Sequence, residues 1–251
     1  MSRFLSRLIC ALGISLSGAG LSASLNAETT ISLHLAGDST MSIKRDSARP
    51  ETGWGEKIAS YLRPGVSVVN HAVNGRSTRN FINQGRWQAL LDQLQPNDVV
   101  MIQFAHNDQK MIDKKRFTDP WRAYRENLQK FVADVREKEA EPILLTSIAR
   151  RSFDKHGKLA DTLAPYSEVL RDVAAQQKVA LIDLNRSTSE LLQQLGPERS
   201  KSLYLHLQPG QHPNYPEGEQ DDTHLNPQGA DRVARMVAGA LTEKNHRLIG
   251  P

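Results

Sequence analysis

Ser39 stands two residues beyond a short aliphatic run, in the stretch Leu33-His-Leu-Ala-Gly-Asp-Ser-Thr-Met41. The run is too short for a helix and apolar enough for a buried strand. Gly37 suits a sharp exit from that strand. Ligands in open α/β sheets gather at the carboxyl ends of strands, which is where Ser39 would lie. A serine hydroxyl is a poor nucleophile at neutral pH: it needs a base within hydrogen-bond reach, an acid to orient the base, and donors for the developing oxyanion. Without them, Gly-Asp-Ser-Thr is an ordinary polar turn.

Candidates for those partners lie far along the chain. Asp221-Asp-Thr-His224 precedes the last helical segment, and Asp221 and His224 are close enough for one turn of chain to aim both into one pocket. Asp221 could then hold the imidazole by one nitrogen while the other faces Ser39. The alternative is that Asp222 or Asn226 caps the coming helix and His224 is a surface residue. Phe104-Ala-His-Asn-Asp108 follows an aliphatic run, so Asn107 could offer its amide to an oxyanion, and Gly75 a backbone N–H. Asparagine and glycine are also what turns use. No Gly-x-Ser-x-Gly elbow and no phosphate-binding loop is present, and Ile58 occupies the place of the last glycine of a dinucleotide fingerprint after Gly53-Trp-Gly55. No cofactor is expected. His206, His212, Asp222 and His224 share one segment, but they lack the helical His spacing of zinc hydrolases, so no metal is expected either.

These residues need elements to position them. Short aliphatic runs at Ile31 to Ala36, Val66 to Asn70, Val99 to Phe104, Ile143 to Ser147 and Val179 to Leu184 read as strands. Segments with helical periodicity lie between them: Trp54 to Leu62, Arg86 to Leu94, Trp121 to Glu139, Leu163 to Gln176 and Arg186 to Leu195. A last one, Pro227 to Leu241, has proline near its start, where it is tolerated. Alternation of this kind predicts an α/β fold, a five-stranded parallel sheet sandwiched between two helical layers. Two segments, Arg63 to Gly85 around Asn74-Gly75 and Leu205 to Leu225, read as long irregular loops, and loops of that length are usually functional. Both are expected to rim the Ser39 end of the sheet.

The chain has 251 residues, 39% hydrophobic and 24% charged, which fits one globular domain. Residues 1–27 read as an export signal: Arg3 and Arg7, an apolar stretch from Leu8, then small residues, with cleavage after Ala27 or nearer Ala23. A single domain would then occupy residues 28–251, exported to the periplasm or secreted. Removing Arg3 and Arg7 leaves 30 basic against 28 acidic residues, too even a balance for nucleic-acid binding. The one cysteine, Cys10, lies in the signal, so disulfides and thiolate chemistry are excluded for the rest.

Taken together, Gly37-Asp-Ser39, Gly75 after a strand, His106-Asn-Asp108 and Asp221-x-x-His224 stand in the block order of the SGNH (GDSL-type) hydrolases, which this chain resembles. It is similar to the rhamnogalacturonan acetylesterase branch in Gly37-Asp-Ser-Thr-Met41, Gly53-Trp-Gly55, Asn74-Gly-Arg-Ser77, Asn214-Tyr-Pro-Glu-Gly218 and Asp221-Asp-Thr-His-Leu-Asn-Pro-Gln-Gly-Ala230. The likeness runs from about Ile31 to Leu241. It implies a flavodoxin-like sandwich with Ser39 as nucleophile, His224 as general base and then acid, and Asp221 as orienting acid. The oxyanion hole would comprise the Ser39 N–H, the Gly75 N–H and the Asn107 amide. The implied activity is removal of O-acetyl groups from a carbohydrate, with an acetylated oligo- or polysaccharide such as a pectic polymer as substrate. His106, Asp108 and Asp222 flank the site and would in the first place hydrogen-bond around it. Arg76, Arg79 and His106 are candidate substrate contacts, with Arg150-Arg151 at the rim, because arginine's planar fork suits uronate carboxylates. A lipase or thioesterase with the same apparatus, and a non-catalytic carbohydrate-binding domain, are the alternatives. One departure is visible: the family has glycine before His-Asn-Asp and this chain has Ala105, which resists a positive φ.

Overall fold

The computed structural model describes residues 31–250; the expected export signal lies outside the described residues. Strands β1 (Ile31–Gly37), β2 (Val66–Asn70), β3 (Val99–Gln103), β4 (Glu141–Leu145) and β5 (Ala180–Ile182) form a parallel sheet in the order β2-β1-β3-β4-β5. The reversal of order at β1 and β3 opens a crevice at the carboxyl ends of these strands, next to Ser39 and Asn107.

Both faces are covered, giving three layers. Leu33, Leu35, Val99 and Met101 pack with α5 (Leu184–Arg199) and α6 (Pro227–Glu243). Ala36, Val100 and Ile102 point the other way, towards α1 (Thr78–Asn83), α2 (Arg86–Leu91), α3 (Arg125–Glu137) and α4 (Ala164–Gln176). This two-sided burial is why the strands read as unbroken aliphatic runs. Among the described residues no helix is long and apolar enough to cross a membrane.

Three segments depart from expectation. Trp54 to Leu62 is not one helix but two 3-10 turns, Trp54–Glu56 and Ile58–Tyr61. The Gly53-Trp-Gly55 backbone is pressed onto the Ser39 turn: a Cβ at Gly53 would lie 2.1 Å from the Ser42 carbonyl oxygen, and Trp54 N–H donates to the Thr40 carbonyl at 2.9 Å. That docking fixes a path no regular helix could follow. Within the Arg63 to Gly85 stretch, α1 starts from a reciprocal cap in which Ser77 and Asn80 exchange side-chain to backbone hydrogen bonds. The Leu205 to Leu225 segment is an antiparallel hairpin, with β6 (Tyr204–Leu207) pairing β7 (Glu219–Leu225).

A polar cluster lies inside the sheet layer. His34 Nδ1 and His71 Nε2 are 3.0 Å apart with stacked rings, and His34 Nε2 is 3.4 Å from Asp98. Burial, then the neighbouring His34, pushes the His71 pKa down to about 4.

Candidate active site

The turn after β1 sets Ser39. Asp38 Oδ1 accepts from the Thr40 N–H at 3.0 Å and the Thr40 hydroxyl at 2.9 Å, while the Asp38 carbonyl accepts from Met41 and Ser42 N–H. Asp38 is therefore the carboxylate that folds the turn. Burial alone would raise its pKa, but His106 and Thr40 outweigh burial and hold it below the ordinary range.

His224 arrives on β7 through a local irregularity. Leu205 pairs with Asp221 and Tyr204 with Leu225, so residues 222–224 have no opposite number on β6. Bulges of this kind re-aim side chains. Here the chain loops back over Asp221, whose Oδ1 accepts from the Thr223 N–H at 2.7 Å and the His224 N–H at 2.9 Å. Asp221 Oδ2 lies 2.6 Å from His224 Nδ1, and His224 Nε2 lies 2.8 Å from Ser39 Oγ. The three side chains form one continuous hydrogen-bonded line.

Electrostatics follow from that geometry. Burial favours the neutral acid at Asp221, but the His224 contact and the two backbone N–H groups win and push its pKa down to about 2. Burial also disfavours the imidazolium, yet Asp221, and after it Glu51, leaves the His224 pKa above the ordinary histidine value. A neutral His224 can take the serine proton and is stabilised once it has done so.

The candidate oxyanion donors lie on the turn after β1, the loop after β2 and the segment after β3. Among the described residues neither the Ser39 N–H nor the Gly75 N–H has a protein partner. Gly75 has φ +76°, a conformation that suits glycine and directs the Asn74–Arg76 loop. Asn107 Nδ2 donates to the Arg76 carbonyl at 3.2 Å, which ties this amide to the Gly75 loop and leaves its second hydrogen for another acceptor. Ala105 is not among the residues at positive φ, so the alanine introduces no backbone strain. Asp108 is fully buried and accepts from Thr78 N–H and from the Thr78 and Thr118 hydroxyls, joining the end of β3 to α1.

Several expected contacts lie elsewhere. His106 is 3% exposed, and its Nδ1 faces Asp38 Oδ2 at 3.5 Å, so the ring serves a buried carboxylate and not a ligand. Arg150 and Arg151 are already engaged by the protein itself. Arg150 Nε donates to Thr223 Oγ1 at 3.2 Å, and Arg151 Nη1 to Asp222 Oδ1 at 2.6 Å, so both brace the strand that carries His224. His206 also turns to Asp222, at 2.7 Å, away from His224. Arg76 and Arg79 are half-buried beside the Gly75 loop, and Arg76 already donates to Gln84 and to the Asn74 carbonyl. Arg116 was not anticipated: its guanidinium lies 3.7 Å from the Cβ position of Gly75, and only its Nε is engaged, by Asp113 at 3.0 Å. Lys44 and Glu51, both buried behind the Ser39 turn, were also missed. A lysine two residues past a turn carries no sequence signal of burial.

Comparison with known proteins adds a second line of observation. The model of the GDSL-like lipase/acylhydrolase family matches residues 35–232. Rhamnogalacturonan acetylesterase RhgT of Bacillus subtilis strain 168 is 40% identical over 213 residues, covering 85% of this chain and 90% of that protein. Probable rhamnogalacturonan acetylesterase YesY of the same strain is 33% identical over 211 residues, covering 84% and 92%. The crystal structure of Bacillus subtilis protein YxiM superposes with a TM-score of 0.74 at 27% identity, over 86% of this chain and 57% of that longer one. The family match starts in β1 and ends in α6, enclosing every residue of the hydrogen-bonded line. By sequence and by fold, this chain belongs to the GDSL-like lipase/acylhydrolase family.

Proposed function

We propose that the protein is a serine esterase that removes O-acetyl groups from a carbohydrate. The observation that carries the reading is the line Asp221–His224–Ser39, 2.6 Å and 2.8 Å long in its two links, with the N–H groups of Ser39 and Gly75 left without a protein partner among the described residues. Ser39 Oγ attacks the acetyl carbonyl as His224 Nε2 takes its proton. The oxyanion is held by the Ser39 and Gly75 N–H groups and the Asn107 amide. Collapse expels the sugar alkoxide, which His224 protonates, and leaves an acetyl-serine. Water then attacks with its proton passing to His224, and acetate leaves as Ser39 recovers that proton. Ser39→Ala should abolish release of acetate and of p-nitrophenol from p-nitrophenyl acetate; full activity in that variant would sink the mechanism.

For the polymer we propose an acetylated pectic polysaccharide of the rhamnogalacturonan type. The identity to RhgT over most of both chains supports it, and so does the charge around the Gly75 loop. Burial, then the adjacent charges of Arg86 and Arg116, holds the Arg76 pKa below arginine's ordinary value, a crowding that an anionic sugar would relieve. Acetate release from pectin, rhamnogalacturonan and xylan checks this: a preference for xylan refutes it, and a steep rise with acyl chain length on simple esters assigns the site to lipids or thioesters instead. We further propose export directed by residues 1–27. Fractionation and N-terminal sequencing of the mature chain should find it outside the cytoplasm, starting near Glu28 or Ser24.

A further inference from the structure

Lys44 is 4% exposed, and a buried lysine requires partners. Its three N–H groups donate to the Ser39 carbonyl, Ser42 Oγ at 3.1 Å and Asn74 Oδ1 at 2.8 Å, and Glu51 Oε1 forms an ion pair with it at 2.7 Å. These four partners come from three parts of the site. The Ser39 carbonyl and Ser42 are the nucleophile turn. Asn74 immediately precedes Gly75, and Asn74 Oδ1 also accepts from Ser42 Oγ at 2.5 Å. Glu51 Oε1 lies 3.9 Å from His224 Nε2, and the next residue, Thr52, donates its N–H to the carbonyl of Leu225, beside His224.

The two backbone donors of the oxyanion hole sit on separate loops, one after β1 and one after β2. Lys44 spans the gap between those loops from behind, with its charge balanced by Glu51. Burial pulls the Lys44 pKa down and Glu51 opposes that pull, so the pair favours the charged ammonium. The charged and titratable groups acting on His224 are Asp221 on its own strand, Glu51 and Lys44 from the segment between β1 and β2, and His106 from the end of β3.

We propose that the buried Lys44–Glu51 pair is a positioning device for the reaction. Lys44 holds the Ser39 turn and the Asn74-Gly75 loop at the spacing an oxyanion requires, and Glu51 presents its carboxylate to the imidazole edge that faces Ser39. Neither side chain touches the substrate; both act through Ser39, Gly75 and His224. The proposal rests on the esterase reading of this site.

The test uses the full-length mature protein and p-nitrophenyl acetate. Lys44→Met should lower kcat about 10²-fold, the scale of a misplaced reacting group, with KM changed by less than about threefold. Glu51→Gln keeps the shape and removes the charge, so the acid limb of kcat/KM should move to lower pH by about 0.3–1 unit, whereas Lys44→Met should move it to higher pH. A purely structural role would move neither limb in a charge-dependent direction. Should Lys44→Met fail to fold by circular dichroism, Lys44→Met combined with Glu51→Gln leaves no unpaired buried charge and must still show the low kcat. A folded single or double variant with wild-type kcat, or an acid limb unmoved in Glu51→Gln, overturns the proposal. If Ser39→Ala retains activity, the esterase reading itself fails; if Ser39→Ala is dead and the Lys44 and Glu51 variants behave as wild type, only the positioning proposal fails.

Discussion

Asp221 accepts three hydrogen bonds, two from backbone N–H groups and one from His224, and every one of them is stronger to a carboxylate than to a neutral acid or amide. An Asp221→Asn chain keeps the size of the side chain but loses the charge that fixes the imidazole tautomer, so kcat should fall on the order of 10³–10⁴-fold. The pH profile checks the same contact. Only neutral His224 can take the serine proton, so activity in the wild type should rise as pH passes through a His224 pKa above 6.5, and the residual activity of Asp221→Asn should rise at lower pH. If Asn107 is an oxyanion donor, as proposed, Asn107→Ala should lower kcat about 10²–10³-fold with little change in the urea midpoint. Ala105 makes the opposite kind of prediction. Its backbone is not in the left-handed region, so Ala105→Gly should leave kcat within about threefold and lower stability by about 0.5–1 kcal/mol through the added freedom of the unfolded chain.

At the scale of elements, what the sequence made legible divides along the two sheets. The five parallel strands are buried on both faces, and continuous runs such as Val99-Val-Met-Ile announce themselves. The hairpin did not, because Glu219-Gln-Asp-Asp-Thr-His-Leu225 carries almost no apolar residue and its alternation is broken by the three unpaired residues that aim His224. Ser39, Gly75, Asn107, Asp221 and His224 were legible as a set, through the order of blocks the chain shares with the SGNH hydrolases, since Gly75 and Asn107 singly are what any turn uses. The partners of Arg150 and Arg151 were not legible, because sequence puts them after β4 but says nothing of the strand that packs across them. Their role gives a prediction: Arg151→Met removes the bond to Asp222 and should destabilise the protein by about 1–2 kcal/mol in urea titration, while loosening His224 enough to lower kcat. A variant with normal stability and normal kcat would show that the brace is unnecessary.

At the scale of the whole molecule, the buried His34–His71–Asp98 cluster links folding to pH. With the folded His71 pKa at about 4 and the unfolded value near 6.5, the unfolded chain binds a proton in that interval that the folded protein refuses. Stability from this group is therefore lost as pH falls from 6.5 towards 4. Asp108, pushed up to about 7 chiefly by burial, contributes the opposite slope, so the comparison with His71→Gln isolates the effect. The variant should gain stability relative to wild type as pH falls through that interval; parallel curves would refute it. One further consequence follows from where the residues of the site lie along the chain. Ser39 and His224 meet across 185 residues, one on the parallel sheet and one on a separate two-stranded ribbon. A contact so distant closes late in folding, because the intervening loop must first be ordered. On refolding from urea, tryptophan fluorescence should recover ahead of ester hydrolysis. Ser39, near the start of the described fold, has no histidine beside it until the ribbon near the other end of the chain docks.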